Sequence, residues 1–108
     1  MPRWLKGVLT RIHGLADARK VRFTHKALRE LGALGLGLDE HDCCEVLQNL
    51  SPADFADRIQ SEITGEWMYV FKPRVAGTGL YVKLILRSDC VIVSFHEEDT
   101  KDGNQDSA

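Results

Sequence analysis

At 108 residues and 44% hydrophobic content, the chain has apolar material for one core and not enough length for two ordinary domains. No apolar run approaches the about 18 residues of a membrane span, and the three cysteines form no C-x-x-C pair of the kind that starts a zinc site. The formal net charge of −2 favours no partner by itself, but its distribution is uneven. Residues 97–108 hold five acids (Glu97, Glu98, Asp99, Asp102, Asp106) and one Lys, whereas the first 26 residues set seven Lys and Arg against Asp17 alone. A basic amino-terminal lobe suits nucleic acid or an acidic partner, although a solvated helix face explains it equally well.

In chain order, Trp4, Leu5, Val8, Leu9, Ile12 and Leu15 fall at helical spacing, with Gly14 a point at which that helix ends or weakens. Lys20-Val-Arg-Phe23 reads as a short extended bridge. Thr24 is placed as the N-cap of a helix that buries Ala27, Leu28, Leu31 and Leu34, and Gly32, Gly35 and Gly37 loosen the chain after it. Asp39 reads as the next N-cap, with Glu40 and Asp42 in the first turn and Cys43, Val46 and Leu47 facing inward. Ser51-Pro52-Ala53-Asp54 has the form of a helix start, and Phe55 and Ile59 would anchor a last helix. Three strands follow, Trp67–Arg74, Leu80–Arg87 and Cys90–His96, broken at Ala76–Gly79 and at Ser88-Asp89. Helices first and an antiparallel sheet after them is an α+β layout. Residues 1–97 are expected to form one domain. Residues 98–108, polar and acidic, are expected to be a disordered tail.

Strand alternation sorts the last third onto two faces. Leu80, Val82, Leu84 and Leu86 point to the core, and Tyr81, Lys83, Ile85 and Arg87 point away. A two-residue loop at Ser88-Asp89 would pair Arg87 with Cys90, Ile85 with Ile92, Lys83 with Ser94 and Tyr81 with His96. A four-residue first loop would set Arg74 opposite Tyr81 and Lys72 opposite Lys83, while a change of one residue would flip that strand. The outward face would then carry Lys72, Arg74, Tyr81, Lys83 and His96. Cations, a phenol and an imidazole suit a phosphodiester. RNA cleavage without a metal needs a base for the 2′-hydroxyl, an acid for the leaving 5′-oxygen, and cations for the charge of the transition state. On spacing alone, a solvated face with an ordinary Tyr–His cross-strand pair is the stronger reading.

His13, His25 and His41 lie on different elements with no second ligand at i+3 or i+4, so surface or cap-adjacent roles are expected. Cys43-Cys44 reads as helix core, since no base is placed beside it. An odd cysteine count without a signal peptide points to reduced thiols in a cytoplasm.

These segments resemble the MqsR family of bacterial toxins, endoribonucleases of type II toxin–antitoxin pairs with a RelE-like fold. The likeness runs over roughly residues 5–98 and rests on Lys20-Val-Arg-Phe-Thr24, Leu34-Gly-Leu-Gly-Leu-Asp39, Leu50-Ser-Pro-Ala-Asp-Phe55 and the block Trp67–Phe95, above all Lys72-Pro-Arg74, Leu80-Tyr-Val-Lys83 and Val91-Ile-Val-Ser-Phe95. It implies amino-terminal helices on a small antiparallel sheet, cleavage of mRNA at short sequences such as GCU without ribosome or metal, and no cofactor. It also implies a cognate antitoxin, and contact with operator DNA through the antitoxin complex. The family's central-strand Tyr carries over onto Tyr81. Three positions depart from the family's pattern: Met68 stands where Gln is usual, His96 where Lys is usual, and Asp57, followed by Arg58, where Lys is usual.

The resemblance turns the balance toward a functional face, with a working set of roles. Tyr81 and His96 divide base and acid duties, and Lys83 with Arg74 holds the scissile phosphate. Lys72 and Arg87 bind flanking phosphates, and Arg58 replaces the cation lost at Asp57. The competing reading is a non-catalytic module that binds RNA or the antitoxin and acts in operon regulation.

Overall fold

A computed structural model describes residues 2–98, and the expected acidic tail lies outside them except for Glu98. The order of elements is α1 (Arg3–Asp17), β1 (Val21–Phe23), α2 (His25–Ala33), α3 (Glu40–Gln48), a 3₁₀ turn (Pro52–Asp54), β2 (Phe55–Gln60), β3 (Trp67–Phe71), β4 (Arg74–Val75), β5 (Thr78–Leu86) and β6 (Cys90–Glu97). This is an α+β fold.

The helices form where the apolar spacing places them. α1 buries Leu5, Val8, Leu9, Ile12 and Ala16, and it runs through Gly14 to Asp17. Thr24 caps α2 by accepting the Ala27 N–H at 3.1 Å. Asp39 and Asp42 cap α3 reciprocally: the Asp39 carboxylate accepts the Asp42 N–H, and that of Asp42 accepts the Asp39 N–H. Ala27 and Leu31 of α2 are buried, but Leu28 is exposed. Cys43, Cys44 and Leu47 of α3 enter the core, and all three cysteines are buried free thiols.

The expected last helix does not form. Ser51-Pro-Ala-Asp54 makes a single turn, with the Asp54 carboxylate accepting the Ser51 N–H at 2.9 Å. The Asp54 carbonyl then accepts the Lys72 N–H at 2.7 Å, which starts pairing with the next strand instead of a second helical turn. Phe55 packs on Trp4 and Phe71, whereas Ile59, its helical i+4 partner in the sequence pattern, lies on the opposite sheet face and is partly exposed. The segment reads locally as a helix start, and pairing with β3 overrides that local signal.

The sheet order is β1-β6-β5-β3-β2, with β4 paired to β5. It is mixed: β1 runs parallel to β6, with Val21, Arg22 and Phe23 beside Cys90, Val91 and Ile92. The other pairs are antiparallel. Phe71, Leu80, Val82, Leu84, Ile92 and Phe95 point to the helices and make one core with α1, α2 and α3. Fully burying a side chain such as Phe71 or Phe95 contributes about 1.5–3 kcal/mol.

Two registers differ from the sequence pattern. The β4–β5 turn is only Ala76-Gly77, with φ of 54° and 80°, because Val75 pairs with Thr78 and Arg74 with Gly79. Positive φ at both positions is the tight hairpin turn that follows sheet twist. The shift relative to the expected four-residue loop is two residues, an even number, so Lys72 and Arg74 keep their face. At the other hairpin, Leu86 rather than Arg87 pairs with Cys90, and Ile85 meets Val91 instead of Ile92. A bulge at Val93 then restores the expected pairs Lys83–Ser94 and Tyr81–His96.

Candidate functional site

The helices cover one face of the sheet, and the other face carries the predicted chemistry. Its residues lie in rows across the strands. Lys72 of the β3–β4 segment continues the register opposite Tyr81, which pairs with His96; the Leu80 N–H to Pro73 O bond, 2.8 Å, fixes that register. The next row is Asp57, Val70, Lys83 and Ser94, and the one beyond it is Ile59, Met68, Ile85 and Val91, with Arg22 at the β1 edge. Val70, Ile85, Val91 and Ser94 are buried and form the floor.

Tyr81 and His96 stack, with ring centroids 4.9 Å apart and planes 11° from parallel. His96 Nδ1 lies 2.9 Å from the Glu97 carbonyl oxygen. A carbonyl only accepts, so this bond places a proton on Nδ1 and leaves Nε2 as the nitrogen available for proton transfer. Among the described residues, neither the Tyr81 hydroxyl nor the Lys83 ammonium has a hydrogen-bond or ion-pair partner. A phenol, an imidazole and an ammonium on adjacent strands can therefore meet an anion directly.

Two further residues belong to this margin, and strand alternation alone could not have found them. α2 leaves Thr24 along the β6 edge and brings Lys26 and Glu30 with it. Lys26 Nζ donates to Ser94 Oγ at 2.9 Å and pairs with Glu30 Oε2 at 2.8 Å. Glu30 Oε1 accepts the Phe95 N–H at 2.9 Å and so satisfies an edge amide of β6. Burial works to raise the Glu30 carboxyl, but the bonds from Lys26 and the Phe95 amide outweigh it and hold the group below its ordinary value. The parallel pairing of β1 with β6 creates this arrangement, and nothing in the Lys20–Phe23 segment announces the direction of its partner.

The other predicted cations divide. Lys72 and Arg74 join the Tyr81 face, where Lys72 Nζ lies 3.1 Å from Glu98 Oε2 and Arg74 Nη2 donates to the Gly77 carbonyl at 2.7 Å. Arg87 does not join it. It sits in the β5–β6 turn, about 20 Å along the strand from Tyr81, and donates twice to Glu66, at 2.8 and 2.7 Å. That fork holds the Glu66 carboxyl at about 2. Arg58 lies on the helix face, opposite Tyr69, with its guanidinium 4.2 Å from the Trp4 ring centroid and 4.0 Å from that of Trp67. It stitches α1 to the β2–β3 hairpin.

The thiols and remaining histidines fall outside the face. Burial pushes the Cys43 and Cys90 thiols up to about 12 and raises Cys44 as well, so none is a ready nucleophile. His13 Nε2 bonds to the Leu50 carbonyl oxygen at 2.8 Å, and His41 lies against Glu45 on α3. A cavity of about 330 Å³ opens between α3 and the β4 hairpin, where Asp42, Glu45 and Asp54 outnumber Arg74 and disfavour a phosphodiester. Among the described residues no helix is long and apolar enough to cross a membrane, and no cluster of His, Cys, Asp and Glu could hold a metal ion.

Residues 6–97 match the family described as motility quorum-sensing regulator, toxin of MqsA. Over 91 residues the chain is 35% identical to the mRNA interferase toxin MqsR of Escherichia coli (strain K12), an alignment covering 83% of this chain and 91% of that protein. The chain belongs to the MqsR toxin family. The family match spans every element from α1 to β6. The three positions at which the resemblance implied a departure, Asp57, Met68 and His96, lie on the open face, where a change leaves the core undisturbed. His96 takes its place against Tyr81, Met68 adds an apolar patch two rows away, and Asp57 places a carboxylate in the Lys83 row.

Proposed function

We propose that this chain is an endoribonuclease toxin that cleaves mRNA, held in check by a cognate antitoxin. The observation that carries the reading is the stacked Tyr81–His96 pair beside Lys83 on the same face. Membership of a family described as the toxin of MqsA, and the name of the E. coli relative, support it.

The mechanism follows from the groups themselves. Lys83 holds the scissile phosphate and offsets the charge that builds in the transition state. One of Tyr81 and His96 takes the proton from the 2′-hydroxyl, and the other protonates the departing 5′-oxygen. The 2′-oxygen–phosphorus bond forms as the phosphorus–5′-oxygen bond breaks. The products are a 2′,3′-cyclic phosphate and a 5′-hydroxyl, and the protein supplies every proton without a metal ion. Asp57 lowers the positive potential along the Lys83 row. The antitoxin acts in the same cytoplasm as the mRNA, and the pair together touches operator DNA.

Expression in a bacterial cell tests this. The wild-type chain arrests growth, and Tyr81→Phe, produced at the same level, does not. Equal growth with wild type and Tyr81→Phe would replace the nuclease with the binding-module reading. Arrest that persists in Tyr81→Phe would move the chemistry to other residues.

A further inference from the structure

One corner of the open face already holds an anion, and it belongs to the chain itself. Glu98 follows β6 and is fixed by its backbone, its N–H donating to the Gly79 carbonyl at 2.8 Å. Its Oε2 lies 3.1 Å from Lys72 Nζ. Its Oε1 lies 3.1 Å from the point where a Gly79 side chain would begin, and Arg74 Nη1 lies 3.8 Å from that same point. An ammonium, a guanidinium and a carboxylate thus converge over a glycine, and any side chain at residue 79 would occupy the space in which they meet.

We propose that Lys72, Arg74 and the bare backbone of Gly79 form a subsite for an RNA phosphate flanking the scissile one, with the Glu98 carboxylate as its resident competitor. The inference rests on the RNA-cleaving reading above. Glu98 Oε2 on Lys72 makes the demand that one non-bridging oxygen of a phosphodiester would make, and the Arg74 guanidinium near Gly79 is placed to take the second. The position also fits. Lys72 stands opposite Tyr81, and Glu98 is two residues beyond His96 on the same face, one phosphate step along an extended strand. The contact is displaceable: the Lys72 and Glu98 side chains are 42% and 26% exposed, and exposed ion pairs are weak. RNA that reaches the corner must evict Glu98, so the carboxylate sets a threshold for binding that rises as salt falls.

The test is binding of a short 2′-O-methyl RNA, which lacks the attacking hydroxyl and is not cleaved. Its affinity for wild type, Glu98→Gln, Lys72→Ala and the double variant is followed by fluorescence anisotropy from about 50 to 200 mM salt. Glu98→Gln keeps the backbone bond to Gly79. It is expected to bind about three- to tenfold more tightly at low salt, with a log–log salt slope steeper by about 0.7, the increment for one more phosphate contact on a single strand. Lys72→Ala cancels that gain in the double variant. If RNA binds and Glu98→Gln matches wild type in affinity and slope, the subsite and its competitor are wrong while the nuclease reading stands. If the oligomer binds to none of the four proteins, the RNA reading fails and this inference falls with it.

Discussion

Each side chain on the open face has a role set by what it does or does not touch. Tyr81 and His96 lean on one another and lie outside the buried core, so removing either leaves the core intact and, on the proposed mechanism, takes away a proton carrier. Tyr81→Phe and His96→Ala are each expected to slow single-turnover RNA cleavage by about 10²–10⁴-fold, with thermal unfolding nearly unchanged. A loss of cleavage that tracked a loss of folded protein would assign them a structural role instead. At the other end of the sheet, Glu66 is a carboxylate whose folded-state value is depressed, from 4.5 to about 2, by the Arg87 fork. Its stabilising contribution is therefore complete above about 4.5 and is lost as pH falls through about 2. A carboxyl NMR titration should place the Glu66 midpoint near 2 in wild type and back in the ordinary carboxylate range in Arg87→Gln. An unmoved midpoint in the variant would show that Arg87 is not the cause. The alternation that exposed Tyr81 and Lys83 was legible in the sequence because side chains alternate along one strand, whereas His96 joins them through the bulge at Val93. The pairings of Arg58 and Arg87 were not legible because they depend on partners, Trp4 with Trp67 and Glu66, that no local pattern connects to them.

At the scale of elements, turns and caps decide where the chemistry sits. Ala76 holds a positive φ of 54° that costs an L-residue about 1–2 kcal/mol, and Gly or Asn relieves it. Ala76→Asn should raise the thermal midpoint by several degrees, since about 1 kcal/mol moves a domain of this size by roughly 4–8 °C, and should leave the face unchanged. A lowered midpoint would contradict the turn geometry. Arg58 clamps α1 to the β2–β3 hairpin between two indoles, a contact worth about 0.5–2 kcal/mol. Because Trp4 and Trp67 are the two tryptophans of the chain, their emission reports on this clamp. Arg58→Ala should change that emission and lower the unfolding midpoint, and an unchanged spectrum would mean that the stack does not hold in solution. Helix caps at Thr24 and Asp39 were readable because a cap is a local hydrogen bond. The segment Phe55–Gln60 was not, since its strand identity comes from β3, not from itself.

Taken whole, the molecule separates stability from chemistry by face. The helices and the inner sheet face bury the aromatic and aliphatic core together with all three thiols, and the outer face keeps the cations and proton carriers. The thiols should react with an aromatic disulfide only at the rate of unfolding, and fast reaction in the native protein would place a cysteine at the surface. The α+β class was legible from order alone, helices then strands. The parallel β1–β6 pair was not, because a three-residue strand carries no signal of direction, and it is this pair that delivers Lys26 and Glu30 to the Ser94 margin. The central claim is that this outer face cleaves RNA by acid–base chemistry from Tyr81 and His96. The most direct measurement is incubation of the purified chain with mixed-sequence RNA in EDTA, beside Tyr81→Phe and His96→Ala, with the new ends identified. Wild type should leave 2′,3′-cyclic phosphates and 5′-hydroxyls at preferred sequences, and either variant should leave the RNA almost intact. Full cleavage by both variants, or none by folded wild type, would contradict it.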